Sequence, residues 1–217
     1  PQETAVAPNL TVRENLELIC GIHGFSRDKT REKVRELTEQ AAQMLLARDA
    51  KALVVACNTA TAAAINHLRE RYPDTIIIGI EPALKPATDR YPTGRIGIMA
   101  TQVTLQEEKL AHQLERFPEA RVERIPATGL VELIESGVTE GEQVEALLRK
   151  ILAPYVGKLD ALVLGCTHYP FAAKTISRLL GENTRLYDGG IGTARHTRRR
   201  LEDAGLLRQG EGELIIE

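Results

Sequence analysis

Ala52-Leu53-Val54-Val55-Ala56-Cys57-Asn58-Thr59 is answered half a chain later by Ala161-Leu162-Val163-Leu164-Gly165-Cys166-Thr167-His168. Each copy is a short apolar run of strand-forming residues that ends in a cysteine followed by small polar groups. Such a run predicts a strand buried in a parallel sheet, covered by helices on both faces. Ligands of these sheets collect beyond the carboxyl ends of the strands. The phrase therefore delivers a thiol to that position twice, and suggests a two-fold-like site with one sulfur on each side of a substrate.

Outward from these strands the pattern alternates. Residues 28–48 predict a helix, with Val34, Leu37, Ala41, Met44 and Leu45 recurring at helical spacing among charged residues. An Ala-rich helix follows the first cysteine from Thr59 to about Arg71, and Tyr72-Pro73-Asp74 ends it. Further strands are expected at 76–80, 95–100, 121–125 and 185–188. Further helices are expected at 104–116, 128–136, 140–155, 171–180 and 192–204. Alternation of this kind predicts an α/β fold. Two pseudo-symmetric domains fit it best: residues 1–93 with 189–217, and residues 94–188. Tyr91-Pro92-Thr93-Gly94 and Gly189-Gly190 are the expected crossings, and the site lies in the cleft between the domains.

Composition narrows the function. The 217 residues are only 4% aromatic, without Trp, so the core is built of Leu, Ile, Val and Ala. A net charge of −2 offers no footprint for nucleic acid or an anionic membrane. The single dense basic run, Arg198-Arg199-Arg200, reads as a solvated helix face. No apolar stretch approaches a membrane span, and no signal-peptide pattern opens the chain. Three cysteines without metal-ligand spacing predict neither a disulfide framework nor a zinc site. A cytoplasmic protein without metal or cofactor is expected.

A lone cysteine after a strand is ordinarily a small hydrophobe. Two in register, each expected at the start of a helix, are suited to proton transfer, because backbone N–H groups and the helix dipole favour the thiolate there. A thiolate on one face of a carbon acid removes a proton while a thiol on the other face donates one, which inverts a stereocentre. Asn58, Thr59 and Thr167 supply amide and hydroxyl groups for an amino-acid substrate, and His168 can hold or deliver a proton near Cys166. Cys20, His23, His67, His112 and His196 have no such setting and read as structural or solvated.

Ala56-Cys57-Asn58-Thr59-Ala60 and Leu164-Gly165-Cys166-Thr167-His168-Tyr169-Pro170 resemble the two signature motifs of the glutamate racemases, cofactor-independent members of the aspartate/glutamate racemase superfamily. Asp28-Lys29-Thr30-Arg31-Glu32-Lys33-Val34, Gly79-Ile80-Glu81-Pro82, Arg95-Ile96-Gly97-Ile98-Met99-Ala100-Thr101 and Asp188-Gly189-Gly190 extend the likeness over about residues 28–207. His168 favours the glutamate enzymes over the aspartate ones. The resemblance implies that Cys57 and Cys166 are the acid/base pair assisted by His168. It further implies that Asn58, Thr59, Thr101, Thr104, Glu135, Thr167 and His168 meet an L- or D-glutamate substrate. It implies D-glutamate for peptidoglycan, a cytoplasmic location and a homodimer.

The front of the chain departs from that pattern. Family members open with Asp-Ser-Gly and carry a later Pro-Tyr-Gly; here Thr4-Ala5 and Ser26-Arg27 stand nearest those places. Three readings are compatible with this: a working racemase lacking its front, an active enzyme with an altered front, or a homologue that binds an acidic amino acid or a protein partner without turnover.

Overall fold

The computed structural model describes residues 27–208 and 210. Cys20, His23, Thr4-Ala5 and Ser26 lie outside the described residues. Each strand is followed by one or two helices before the next. Helix α1 (Arg27–Leu46) precedes β1 (Ala52–Val55), α2 (Asn58–Arg71), β2 (Ile76–Gly79) and α3 (Leu84–Arg90). Next come β3 (Arg95–Ala100), α4 (Gln102–Gln106), α5 (Glu108–Glu115), β4 (Arg121–Pro126), α6 (Leu130–Glu135) and α7 (Glu142–Leu152). Then β5 (Ala161–Leu164), a 3-10 turn (Tyr169–Ala172), α8 (Ala173–Leu180), β6 (Arg185–Asp188) and α9 (Gly190–Asp203) complete it.

Every strand pair among the described residues is parallel. β1 pairs with β2, with Ala52 opposite Ile76. The other four strands form a second sheet in the order β4-β3-β5-β6. The α/β fold expected from the alternation is therefore present, as parallel sheets flanked by helices.

Side-chain alternation along the strands builds separate cores. From the four-stranded sheet, Met99, Ile125, Leu162 and Leu164 pack with Leu130, Leu148, Leu152 and Ile176 of α6, α7 and α8. On its opposite face Ile96, Ile98 and Val163 meet Leu84 and Ala87 of α3 and Leu105 and Leu110 of α4 and α5. Gly97 is required at the centre of this sheet, since a Cβ there would lie 2.8 Å from Leu162 Cδ1 and 2.9 Å from Ile125 Cδ1. A smaller core joins Ala42 of α1 and Ala64, Ile65 and Leu68 of α2 to Leu53 and Ile77 of the two-stranded sheet. Helix α9 packs beside β2 without burying any residue.

Several elements differ from the sequence expectation. The expected stripe of α1 holds at Val34, which is buried, and at the half-buried Leu37, but continues through Ala42 in place of Ala41, so Met44 and Leu45 are exposed. The expected 104–116 helix is two helices. Thr101 caps α4 by accepting a hydrogen bond from Thr104 N, and Glu107 adopts extended backbone (φ −69, ψ 136) between α4 and α5. The expected 171–180 helix is preceded by the 3-10 turn that Pro170 opens. Helix α3, unanticipated, carries Pro86 in its first turn, where a missing N–H costs nothing.

Candidate active site

Both cysteines follow a parallel strand by two residues, and the helices after them differ. Cys57 is the N-cap of α2, with extended backbone (φ −141, ψ 123) and no side-chain cap hydrogen bond. Its carbonyl accepts from Thr61 N at 2.8 Å, while the first backbone N–H groups of α2 have no helical partner. The thiol is half-buried and lies at the positive end of the helix dipole.

Cys166 is 7% exposed. Gly165 continues the sheet ladder to Met99 O at 2.8 Å, and a Cβ at Gly165 would stand 2.9 Å from that of Ala100. The tight approach fixes the backbone from which the thiol projects. No α-helix starts at Cys166, contrary to the sequence expectation. The chain instead turns through Thr167 and His168 into the 3-10 element, whose Tyr169 N donates to Cys166 O. The proline at the second position of that element accounts for the turn in place of a regular helical start.

Proton-transfer groups gather on the Cys166 side. His168 Nδ1 lies 3.5 Å from Cys166 Sγ, and its Nε2 is paired with Glu135 Oε1 at the end of α6. The side chains of His168 and Glu135 are 24% and 18% exposed, so the pair is only partly screened by water. An imidazole placed between a thiol and a carboxylate is oriented on both nitrogens.

One hydrogen bond stitches the repeated phrases together, and a chain of hydroxyls ties the first phrase to α4. Asn58 Nδ2 donates to Gly165 O at 2.9 Å, so the residue after the first cysteine grips the residue before the second. Thr59 Oγ1 meets Thr104 Oγ1 at 3.3 Å, and Thr101 Oγ1 reaches the same hydroxyl at 3.1 Å. Of the residues expected at the site, Cys57, Asn58, Thr59, Thr101 and Thr104 thus form one linked group with Gly165. Cys166, His168 and Glu135 continue it through the backbone. Thr167 is half-buried between Cys166 and His168. Glu135, expected at the substrate, is engaged with His168. The Gly165 carbonyl and the buried Glu107 were not anticipated; no local spacing signals either.

The remaining histidines stand apart. His112 and His196 pair with Glu115 and Arg199 on helix surfaces. His67 is more than a solvated side chain, because it holds Glu39 of α1 at 2.6 Å. That hydrogen bond, the main cause, with the nearby positive charges of His67 and Arg71, keeps the Glu39 carboxyl below the usual carboxylate range. Among the described residues no three His, Cys, Asp or Glu side chains cluster to hold a metal ion, and no helix is long and apolar enough to cross a membrane.

Residues 7–197 match the family model described as Asp/Glu/Hydantoin racemase. The chain is 47% identical over 183 residues to a glutamate racemase of Clostridium perfringens, covering 83% of this chain and 70% of the relative. It is 49% identical over 175 residues to one from Clostridium kluyveri, covering 80% and 68%. Among solved structures it resembles Escherichia coli glutamate racemase in complex with L-glutamate and the activator UDP-MurNAc-Ala. That match has a TM-score of 0.73 and 32% identity, over 79% of this chain and 66% of the other. It also resembles the Francisella tularensis glutamate racemase in complex with D-glutamate, with a TM-score of 0.70 and 26% identity, over 84% and 68%. The chain thus spans about two thirds of the length of these proteins.

Proposed function

Because this chain belongs to the Asp/Glu/hydantoin racemase family, we propose that it interconverts L- and D-glutamate without a cofactor, with Cys57 and Cys166 as the acid/base pair. The observation that carries this reading is the hydrogen bond from Asn58 to the Gly165 carbonyl, which draws the two strand-cysteine phrases to one place.

In the proposed reaction one sulfur, as thiolate, takes the proton from Cα of glutamate. The other, as thiol, gives its proton to the opposite face of the same carbon. The substrate is inverted and the sulfurs exchange roles; one proton leaves the carbon and one arrives. Cys57 acts on D-glutamate and Cys166 on L-glutamate. His168, supported by Glu135, shifts charge toward or away from Cys166 as that sulfur changes state. Positioned groups of this kind contribute about 10²–10⁴-fold each. The second hydrogen of Asn58 Nδ2, the Thr59, Thr101, Thr104 and Thr167 hydroxyls and the open N–H groups of α2 are donors suited to the substrate carboxylates.

The chain is further read as two lobes that work as a homodimer in the cytoplasm, the product feeding peptidoglycan synthesis. The division falls at residues 93–94 and 188–189.

Proton exchange tests the mechanism. L- or D-glutamate is incubated with the protein in heavy water and the Cα proton signal is followed by NMR, together with the optical rotation. Exchange with inversion is expected for the native chain, and loss of inversion for Cys57→Ser and Cys166→Ser with unchanged Tm. Inversion that survives either substitution overturns the two-sulfur mechanism. Calorimetric binding of glutamate without exchange supports the reading as a binding protein.

A further inference from the structure

Cys57 lies two residues beyond the end of β1, and its own side chain makes no capping hydrogen bond. The direction of that sulfur therefore follows from the backbone around it. One buried residue grips this backbone twice. Thr61, the fourth residue of α2 and 2% exposed, donates its amide to the Cys57 carbonyl at 2.8 Å and its hydroxyl to the Val55 carbonyl at 3.0 Å. The hydroxyl bond is unlike those of Thr38, Thr88, Thr193 and Thr197, each of which donates to the carbonyl four residues back in its own helix. Such local back-bonding is what a threonine within a helix ordinarily does. Thr61 instead reaches six residues back, out of the helix and past the cysteine, to the last residue of β1.

The end of β2 serves the same contact. Ile80 N donates to the Val55 carbonyl at 3.1 Å, so both lone pairs of that oxygen are taken, and the ends of β1, β2 and α2 meet on one atom. Gly79, the last residue of β2, leaves room for the threonine: a Cβ there would stand 2.4 Å from Thr61 Cγ2 and 3.1 Å from Thr61 Oγ1. Cys166 has a different anchor, since Gly165 beside it is bonded into the sheet at Met99.

We propose that Thr61 is a positioning residue for Cys57: its hydroxyl, seated in the space that Gly79 leaves, fixes the line along which the thiol leaves β1 and holds it before the open N–H groups of α2. Buried as it is, Thr61 acts through the sulfur rather than on the substrate. The kinetic consequence rests on the racemase reading, whereas the placement of the sulfur does not.

Three substitutions in the full chain separate the hydroxyl from the methyl. Thr61→Val keeps the shape and removes the donor, Thr61→Ser keeps the donor and removes the methyl, and Gly79→Ala drives the threonine aside by contact. Each is followed by racemisation kinetics, by Tm, and by the rate at which iodoacetamide alkylates Cys57 relative to Cys166, read by peptide mass spectrometry. In Thr61→Val and Gly79→Ala, kcat is expected to fall about 10- to 100-fold with KM little changed, as for reacting groups displaced by up to about 1 Å. The alkylation ratio falls about 2- to 5-fold as the sulfur leaves the helix end. Thr61→Ser keeps most of both, and adding it to Gly79→Ala restores much of what the alanine removed, because the clashing methyl is gone. Native kcat and a native alkylation ratio in Thr61→Val, or losses confined to Thr61→Ser, overturn the proposal and leave the residue a packing contact. A fall in Tm alone does the same. A native chain that alkylates at both sulfurs but never inverts glutamate refutes the racemase reading, and the alkylation ratios then decide the role of Thr61 by themselves.

Discussion

Replacing Glu135 by Gln removes a charge beside His168 and leaves the shape. The carboxylate pairs with Nε2 of the imidazole whose Nδ1 faces Cys166 Sγ at 3.5 Å. A hydrogen bond to a charged group is worth about 1.5–3 kcal/mol and a neutral one about 0.5–1.5 kcal/mol, so the substitution removes roughly 1–1.5 kcal/mol from an imidazolium that forms in the transition state. At 1.36 kcal/mol per decade the expected loss in kcat/KM is about 5- to 13-fold. Glu135→Leu also strands the ring N–H in a partly buried position, and its loss rises to about 10- to 150-fold. The two enantiomers have equal free energy in water. The fall in kcat/KM must therefore be the same from L- and from D-glutamate, even though Glu135 serves only the Cys166 side. The assay is racemisation followed by optical rotation from both enantiomers, with Tm measured alongside. Unchanged rates in Glu135→Gln refute the role of the pair, and rates that fall only in step with Tm reduce it to a structural contact.

Two further outcomes concern the scaffold. A Cβ at Gly189 would stand 2.5 Å from the Glu81 carbonyl oxygen and 3.0 Å from Ile80 Cγ1, so Gly189→Ala must push the turn into α9 away from that loop. A loss of about 1–3 kcal/mol, or roughly 2–10 °C in Tm, is expected, whereas Gly192→Ala in the open face of α9 gains about 0.5–1 kcal/mol. Equal effects of the two substitutions in differential scanning calorimetry contradict the packing argument. Acid stability forms the other case. Hydrogen bonds from Arg178 and then Arg149 hold Glu145 at a pKa of about 2, against 4.5 unperturbed. A depressed carboxyl stabilises the fold above its unfolded value and loses that contribution as pH falls through its folded one. Glu145 therefore contributes fully above about pH 4.5, and progressively less between 4.5 and 2. Glu145→Gln flattens that stretch of the stability curve measured by urea unfolding; an unchanged slope there refutes the linkage.

The strand-cysteine phrases were readable because a buried parallel strand leaves a strong local trace: four apolar β-formers and then a polar edge. Both occur with the predicted limits to within a residue, at Ala52–Val55 and Ala161–Leu164. What the local pattern missed was decided at longer range. In α1 the apolar positions after Leu37 admit two adjacent rows, and packing against α2 selected Ala42 over Ala41. The break at Glu107 has no Pro or Gly to mark it; it arises because Thr101 caps the preceding turn and Leu110 must reach the core below β3. The place of Glu135 opposite His168 was also hidden, since α6 and the loop after β5 meet only through the sheet order. Glu107 and the Gly165 carbonyl belong to the same class: their importance depends on which groups stand opposite, and spacing along the chain does not record that.

The repeated phrase makes the two sulfurs equivalent in sequence, yet their surroundings are unlike. Cys57 caps a helix and has backbone N–H groups beyond it, whereas Cys166 sits in a buried turn with an imidazole and a carboxylate behind it. The two supports are of different kinds: the helix end offers fixed N–H dipoles beside Cys57, while the pair offers Cys166 side chains able to pass a proton. On the proposed mechanism the free enzyme must reach both protonation patterns, one for each enantiomer, and racemisation stops if either is inaccessible. Such a site works only where the two unlike supports leave the two patterns close in energy. Substitutions at Glu135 therefore act on the balance between the sulfurs as much as on either one. Measured as saturation behaviour, that balance appears as unequal changes in kcat from L- and from D-glutamate, under a common change in kcat/KM.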